Sequence, residues 1–301
     1  METRWLEDFV VLARTRHFSR AAELSNVSQP TFSRRIKLLE EEIGAPLINR
    51  QSLPLSLTPA GEEFLVLCEQ IQERLRLTRE RIRAIDAGAE RRVLLAAPHS
   101  LLVHFVDEWS RRHQVHDRLT PYLRATGWLI RDYFDALERG ECELALCYWP
   151  TRRIEPPLDL DAFDSVVVGS ERLLPLSAPD PQGAPRFRLP GERRRPLPHI
   201  AFHPRGLLDA TLRAHLGEQP QPPFLTTLSE SIQAVNILEL VKGGYGLGWL
   251  PARTARAALA SGELVAAGQR DWEVPLELRL FRARRPRTDA LEALWAEIST
   301  R

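Results

Sequence analysis

Between Ser28 and Lys37 the chain gathers Gln29, Thr31, Ser33, Arg34, Arg35 and Lys37. Their amide, hydroxyl, guanidinium and ammonium groups are those that hydrogen-bond base edges and phosphates. To act together they must share one face of a helix. Phe32, Ile36, Leu39 and Ile43 lie within about 60° of one another at roughly 100° per residue, which predicts a buried stripe and turns Pro30, Arg34 and Lys37 outward. Ser28 is placed as N-cap, Pro30 stands in the first turn where a missing amide costs nothing, and Gly44 stops the helix. A shorter helix is predicted before it, opened by Ser19 as N-cap with Phe18 as staple residue, and with Ala21, Ala22 and Leu24 turned inward. Residues 25–28 form the turn between them.

A helix-turn-helix of this kind lays its second helix in the major groove, N-terminal residues toward the bases. The candidate DNA-binding residues are therefore Ser28, Gln29, Pro30, Thr31, Ser33 and Arg34, with Arg35 and Lys37 directed at phosphate. An ordinary αα-hairpin with a charged solvent face would carry the same pattern. Two strand-like pieces, residues 46–50 and 53–57, flank a polar tip and read as a β-wing. They favour a winged helix-turn-helix.

Composition fixes the wider frame. The 301 residues are 44% hydrophobic and 27% charged, which suits two or three globular units and excludes disorder and collagen. With 41 Lys plus Arg against 40 Asp plus Glu, the net charge is +1, so affinity for nucleic acid must come from a local patch. The three cysteines, odd in number and widely spread, predict a reducing compartment, the cytoplasm. Glu2, Arg4, Glu7 and Asp8 interrupt the apolar run a secretory signal needs, and no stretch approaches the roughly eighteen apolar residues of a membrane span. A soluble chain without a membrane partner is expected.

From 60 to 86 proline is absent and Gly61 is the only glycine. Phe64, Cys68, Ile71, Leu75, Thr78, Ile82 and Ile85 recur at alternating steps of four and three, a heptad seam. It predicts a dimerising helix with Phe64, Ile71, Leu75, Ile82 and Ile85 in the seam; the alternative is a helix packed on its own chain. After the junction at 88–92, strands alternate with helices. Strands are predicted at 93–97, 119–125, 143–149, 165–169, 173–178, 199–202, 225–228, 246–250 and 276–283, joined through crossover helices into parallel sheets. The expected organisation is an α+β multidomain chain: a winged helix-turn-helix over 1–58, a linker helix over 59–88, and a two-lobed α/β domain over 89–301. Lobe 1 takes about 92–164 and 268–301, lobe 2 about 165–267. The proline-rich stretch 178–198 with Arg193, Arg194 and Arg195 is a solvated loop or a secondary phosphate patch.

The residues 18–22 (Phe-Ser-Arg-Ala-Ala), 27–30 (Val-Ser-Gln-Pro), 32–36 (Phe-Ser-Arg-Arg-Ile), Leu39, Glu40, Ile43, Gly44, Pro46, Leu47, Arg50 and 57–61 (Leu-Thr-Pro-Ala-Gly) resemble the amino-terminal signature of the LysR-type transcriptional regulators. The likeness runs through nearly the whole chain. It implies a cytoplasmic bacterial regulator that binds double-stranded DNA, commonly a homotetramer built as a dimer of dimers, with a periplasmic-binding-protein-like effector domain. By position, Gln29, Pro30, Thr31, Ser33, Arg34 and Arg35 match the family's recognition helix and Arg50 its wing arginine. Ile48 replaces the usual phenylalanine, and residues 51–57 contain no Lys or Arg, which predicts weaker wing contacts and a shallower salt dependence.

Residues 2–6, 26–30, 49–51 and 99–100 are similar to the hypochlorite-responsive members of the family, where methionine oxidation is the proposed switch. This chain has only Met1, so that switch does not transfer. Cys142 and Cys147, five apart, would face opposite ways and are expected to be buried and inert rather than a thiol switch.

In two-lobed α/β domains ligands bind at the carboxyl ends of strands, where helix N-termini offer amides. His99, Ser100, Thr126, Tyr148, Trp149, His203, Arg205, Ser229 and Ser231 fall at such ends and are predicted to converge as the effector site. Ser100 and Thr126 would hold a carboxylate or similar anion, with Arg205 or His99 supplying charge. Equally, Ser100 and Ser231 could be N-caps and Trp149 a core aromatic. The glycine-rich run 243–248 follows a helix and precedes a strand, the reverse of a dinucleotide loop, and His113 and His116 lack further nearby ligands. No metal, cofactor or catalytic motif is predicted. The reading is a regulator whose DNA binding responds to a small-molecule effector or oxidant; the rival is a cytoplasmic solute-binding or sensor protein without DNA binding.

Overall fold

The computed structural model describes residues 2–50, 52, 55–86, 92–151, 158–284 and 288–300. Three wing-tip positions, 51, 53 and 54, and the junction at 87–91 lie outside them, as does the side chain of Ile85 in the expected seam. No described helix is long and apolar enough to cross a membrane. The chain forms two compact units, Met1–Ala89 and Glu90–Arg301.

In the first unit α1 (Thr3–Thr15), α2 (Phe18–Leu24) and α3 (Gln29–Ile43) are followed by the short antiparallel strands β1 (Ile48–Asn49) and β2 (Ser56–Leu57), and by the long helix α4 (Pro59–Asp86). Phe9, Leu12, Phe32, Ile36, Leu39 and Leu47 are fully buried and form the core. Ile43 departs from the predicted stripe and is 38% exposed. At the last turn before Gly44, whose φ is 77°, the helix has already passed the edge of the three-helix core. The cap of α2 also differs from expectation: His17 Nδ1, not Ser19, accepts the Arg20 N–H. Ser19 lies inside the helix and donates to Gln29 Oε1 at 3.2 Å, tying α2 to α3.

The expected seam is divided. Phe64 and Cys68 are buried in the unit's own core, with the Phe64 ring 5.5 Å from that of Phe9, and Ile71 packs against the same cluster. Burial pushes the Cys68 thiol up to about 12. The first half of the pattern is therefore intrachain packing, while among the described seam residues the apolar Leu75 and Ile82, 36% and 52% exposed, remain open to a second copy.

In the second unit one sheet runs in the order β10 (Val265–Ala266), β6 (Phe163–Ser177), β11 (Val274–Ala283), β5 (Leu144–Pro150), β3 (Val93–Ala96), β4 (Leu119–Pro121), with β9 (Gly248–Pro251) also on β6. A second, parallel pair joins β7 (Leu197–Phe202) to β8 (Leu225–Ser231). The parallel core expected from strand-helix alternation exists at β4, β3 and β5, but β6 and β11 cross antiparallel to their neighbours. The two strands predicted at 165–169 and 173–178 are one strand, β6. It continues because Ser170 to Arg172 keep their register opposite Pro275 to Glu277 on β11. The predicted strand to 125 ends at Pro121, after which 123–127 wind into a 3-10 turn. Helices α7 (Ile130–Arg139), α8 (Leu207–Gly217), α9 (Ala234–Lys242), α10 (Ala252–Ala260) and α11 (Asp289–Ser299) pack around these sheets. The segment 99–112 is helical throughout, with a wide π turn at Leu102–Val106 between α5 (His99–Leu101) and α6 (Asp107–Arg112).

Candidate nucleic-acid interface and ligand cleft

The start of α3 is built for contact. Ser28, Gln29, Pro30, Thr31, Arg34 and Lys37 are exposed and Ser33 is half-buried, because Phe32, Ile36 and Leu39 hold the opposite face. The helix opens with no acidic residue in its first turn, which leaves its amide dipoles available to phosphate. Ser28 is the N-cap by backbone geometry, but its hydroxyl bonds Thr31 Oγ1 at 2.9 Å rather than a backbone amide. Lys37 leans on Glu41 at 3.7 Å, both well exposed. Arg34 has no ion pair among the described residues.

Arg35 is a correction. Its Nη1 lies 3.0 Å from Asp8 Oδ2, with the two side chains 17% and 3% exposed. Asp8 sits on the inner face of α1 beside Phe9 and Leu12, where an unpaired carboxylate would be costly, so the guanidinium is held inward instead of reaching phosphate. Arg50 also carries a structural tie. Glu40 Oε1 accepts the backbone N–H groups of Leu47 and Ile48 at 2.9 and 3.1 Å, while its Oε2 takes Arg50 Nη2 at 2.9 Å. Arg50 is still 51% exposed, so one face of the guanidinium stays open. The sequence alone assigns neither Asp8 nor Glu40 a partner. The need for one is legible at Asp8: helical spacing puts it among apolar neighbours, and a charge there demands a partner.

The run Thr58 to Gly61 joins wing to helix. Thr58 Oγ1 donates to Pro46 O at 2.7 Å and accepts Gly61 N at 3.0 Å, while Thr58 N donates to Leu47 O at 3.0 Å. A Cβ on Gly61 would stand 2.1 Å from Leu47 O, which only glycine avoids.

In the second unit a cleft of about 80 Å³ lies between the helix starts and strand ends of the two lobes. It brings together His99, Ser100, Thr126, Tyr148, His203 and Ser231 of the predicted set. Ser100 Oγ and the Tyr148 hydroxyl are 2.9 Å apart, and burial raises the phenol's pKa. Thr126 Oγ1 donates to Leu123 O at 3.1 Å. Ser231 ends β8 rather than beginning a helix; its Oγ accepts Gln233 N at 3.1 Å and Asn236 Nδ2 at 3.2 Å, fixing the turn into α9.

Three predicted members fall elsewhere. Trp149 follows Tyr148 on β5 and so faces the other side of the sheet, 4.8 Å from the Phe281 ring with Arg279 over it. Arg205 and Ser229 are exposed and do not line the cleft. Sequence reasoning missed the lining residues Trp128, Tyr133, Phe202 and Gln233. Trp128 rests edge-on against Tyr133 and Tyr122 at 5.4 and 5.6 Å. Cys68, Cys142 and Cys147 are all buried. Cys147 shares the cleft wall, and burial raises its thiol pKa.

A winged helix-turn-helix carried on one chain with a two-lobed cleft domain is the build of a ligand-responsive DNA-binding protein. Residues 3–62 match the bacterial regulatory helix-turn-helix protein model of the lysR family, and residues 86–301 match the LysR substrate binding domain; the chain belongs to the LysR family of DNA-binding transcriptional regulators. It is similar to the HTH-type transcriptional regulator YjiE of Escherichia coli (strain K12), 29% identical over 300 residues that cover 99% of this chain and 94% of that one. Among solved structures it resembles Vibrio fischeri DarR in complex with DNA, at 27% identity and a TM-score of 0.61 over 100% of this chain and 99% of that one. It also resembles full-length HypT from Salmonella typhimurium, a hypochlorite-specific LysR-type transcriptional regulator, at 25% identity and a TM-score of 0.61 over 100% and 98% of the two chains.

Proposed function

We propose that this regulator reads a dyad-symmetric promoter site with Gln29, Pro30, Thr31, Ser33 and Arg34, helped by Ser28, Lys37 and the open face of Arg50. The observation that carries this reading is the exposed amino-terminal face of α3, where Arg34 keeps an uncommitted guanidinium beside an amide and two hydroxyls. Residues 1–58, 59–88 and 89–301 act as reading head, linker and effector domain. Two copies pair through the exposed half of α4 at Leu75 and Ile82, and dimers combine into the tetramer usual for the family. The protein works in the cytoplasm and performs no catalysis.

Its signal is a small molecule held in the cleft at Ser100, Thr126, Tyr148, His203 and Ser231, which favours one quaternary spacing by binding it more tightly. HypT is hypochlorite-specific by description. Hypochlorite here has no internal methionine to oxidise, since Met1 is the only one, and Cys147 would be the oxidisable group on the cleft wall. Oxidation is therefore the second reading.

Selection of genomic DNA fragments by the purified protein, at two salt concentrations and with hypochlorite added, tests these statements together. A dyad should be enriched, more weakly at high salt. A Cys147→Ser variant that loses any hypochlorite shift would favour the oxidant reading. Absence of an enriched site at low salt would favour a sensor that does not bind DNA.

A further inference from the structure

Among the described residues, no Lys, Arg, Asp or Glu side chain lines the cleft around Ser100. The wall instead presents the hydroxyls of Ser100, Thr126, Tyr148 and Ser231 beside Leu129 and Phe202. Hydroxyls both donate and accept. His203 Nδ1 is turned toward its own chain, where it accepts the Arg205 N–H at 3.2 Å. His99 lines the cleft but is exposed to solvent. The charges acting on Tyr148 from behind the wall, Glu171 and Arg253, cancel each other in a pair 3.1 Å apart, the Glu171 side chain 2% exposed.

A carboxylate entering such a site would give up its hydration without gaining a counter-charge. A neutral polar group loses less water, and the Ser100 and Tyr148 hydroxyls, which share one hydrogen bond, leave one proton and oxygen lone pairs to meet it. The volume of about 80 Å³ is well below the roughly 300–1,000 Å³ of sites for drug-sized ligands. Resting on the reading of this cleft as the effector site, we propose that the effector is a small uncharged molecule carrying both hydrogen-bond donors and acceptors, such as a short hydroxy-amide, and that the site rejects the carboxylate of the same shape.

The test is calorimetry and saturation-transfer NMR on the full-length protein at neutral pH, using amides each paired with the acid of the same skeleton, from acetamide and acetate to lactamide and lactate. Two variants accompany it: Thr126→Trp, which fills the mouth of the cleft, and Ile130→Lys, which adds a cation to its wall. Amides should bind about tenfold or more tighter than their acids, binding should vanish in Thr126→Trp, and Ile130→Lys should shift the preference toward the acids. Acids binding as tightly as amides, with loss in Thr126→Trp, would overturn the neutral-ligand proposal and leave the effector site standing. Binding that persists in Thr126→Trp, or no binding by any pair, would remove the effector site itself and the proposal with it.

Discussion

The two units dispose of charge in opposite ways. On the amino-terminal face of α3 Arg34 stands in solvent and Lys37 only leans on the exposed Glu41, whereas the pairs of Arg35 with Asp8 and Arg50 with Glu40 hold helices and wing in place. In the cleft the ionic pair Glu171 and Arg253 is kept behind the wall, and the surface offered to a ligand is mostly apolar with a few hydroxyls set in it. A polyanion can be met by exposed cations because counterion release drives the encounter. A small ligand that must be desolvated is discriminated by what is left unpaired around it.

The largest effect that would sharpen this contrast is on Arg35. Its removal leaves the Asp8 carboxylate buried without a partner, so Arg35→Ala should destabilise the first unit by about 3 kcal/mol or more, read as a lower midpoint in urea. If Arg35→Ala instead kept full stability and lost only DNA affinity, the division between holding and reading arginines would be wrong.

Next comes His199 on β7. It is 7% exposed, its Nε2 has no hydrogen-bond partner among the described residues, and it meets the Trp249 ring edge-on at 5.4 Å. Burial lowers its pKa to about 4 from 6.5, so the folded chain binds fewer protons than the unfolded one between those values. Stability contributed by the neutral ring is fully present above pH 6.5 and falls as the pH drops toward 4, by at most about 3 kcal/mol. A urea titration across that range should show the decline, and His199→Phe should flatten it; an unchanged slope in the variant would assign the acid sensitivity to other groups.

Arg34→Ala should weaken DNA binding by about 1–3 kcal/mol without moving the melting temperature, a gel shift and a thermal scan giving the two readings. Smallest of all, Arg50→Ala should lower the salt slope of DNA binding by less than about one unit, because Glu40 already neutralises part of that charge. A drop as large as that for Arg34 would promote the wing to an equal reader.

Local spacing made the first unit legible. The stripe of α3, the Gly44 stop and the Ser28 cap position are all written within a few residues of one another, and the family signature is as compact. Partnership is less legible than periodicity: Asp8 and Arg35 stand 27 residues apart, and Glu40 meets the base of the wing 7 to 10 residues on, across a helix end that no periodic pattern spans. The seam in α4 stays open in the sequence for the same reason, since a heptad pattern does not say whether Phe64 meets its own α1 or another chain. In the second unit the strand ends point to one cleft, whose lining includes His99, Ser100, Thr126, Tyr148, His203 and Ser231. Trp149 was placed there despite the alternation of a strand, which sends neighbours to opposite faces. Arg205 was included because an anion was expected, and the backbone turn at His203 leaves it outside.

Glu40 holds Leu47, Ile48 and Arg50 with a single carboxylate. Recognition helix and wing thus hang from one peg and travel as one piece. A signal can change how far apart two such heads stand or how they are rotated, but it has little purchase on the shape of either. The sequence of each operator half-site should then be the same in every signalling state, and the grammar of regulation should lie in the spacing between halves.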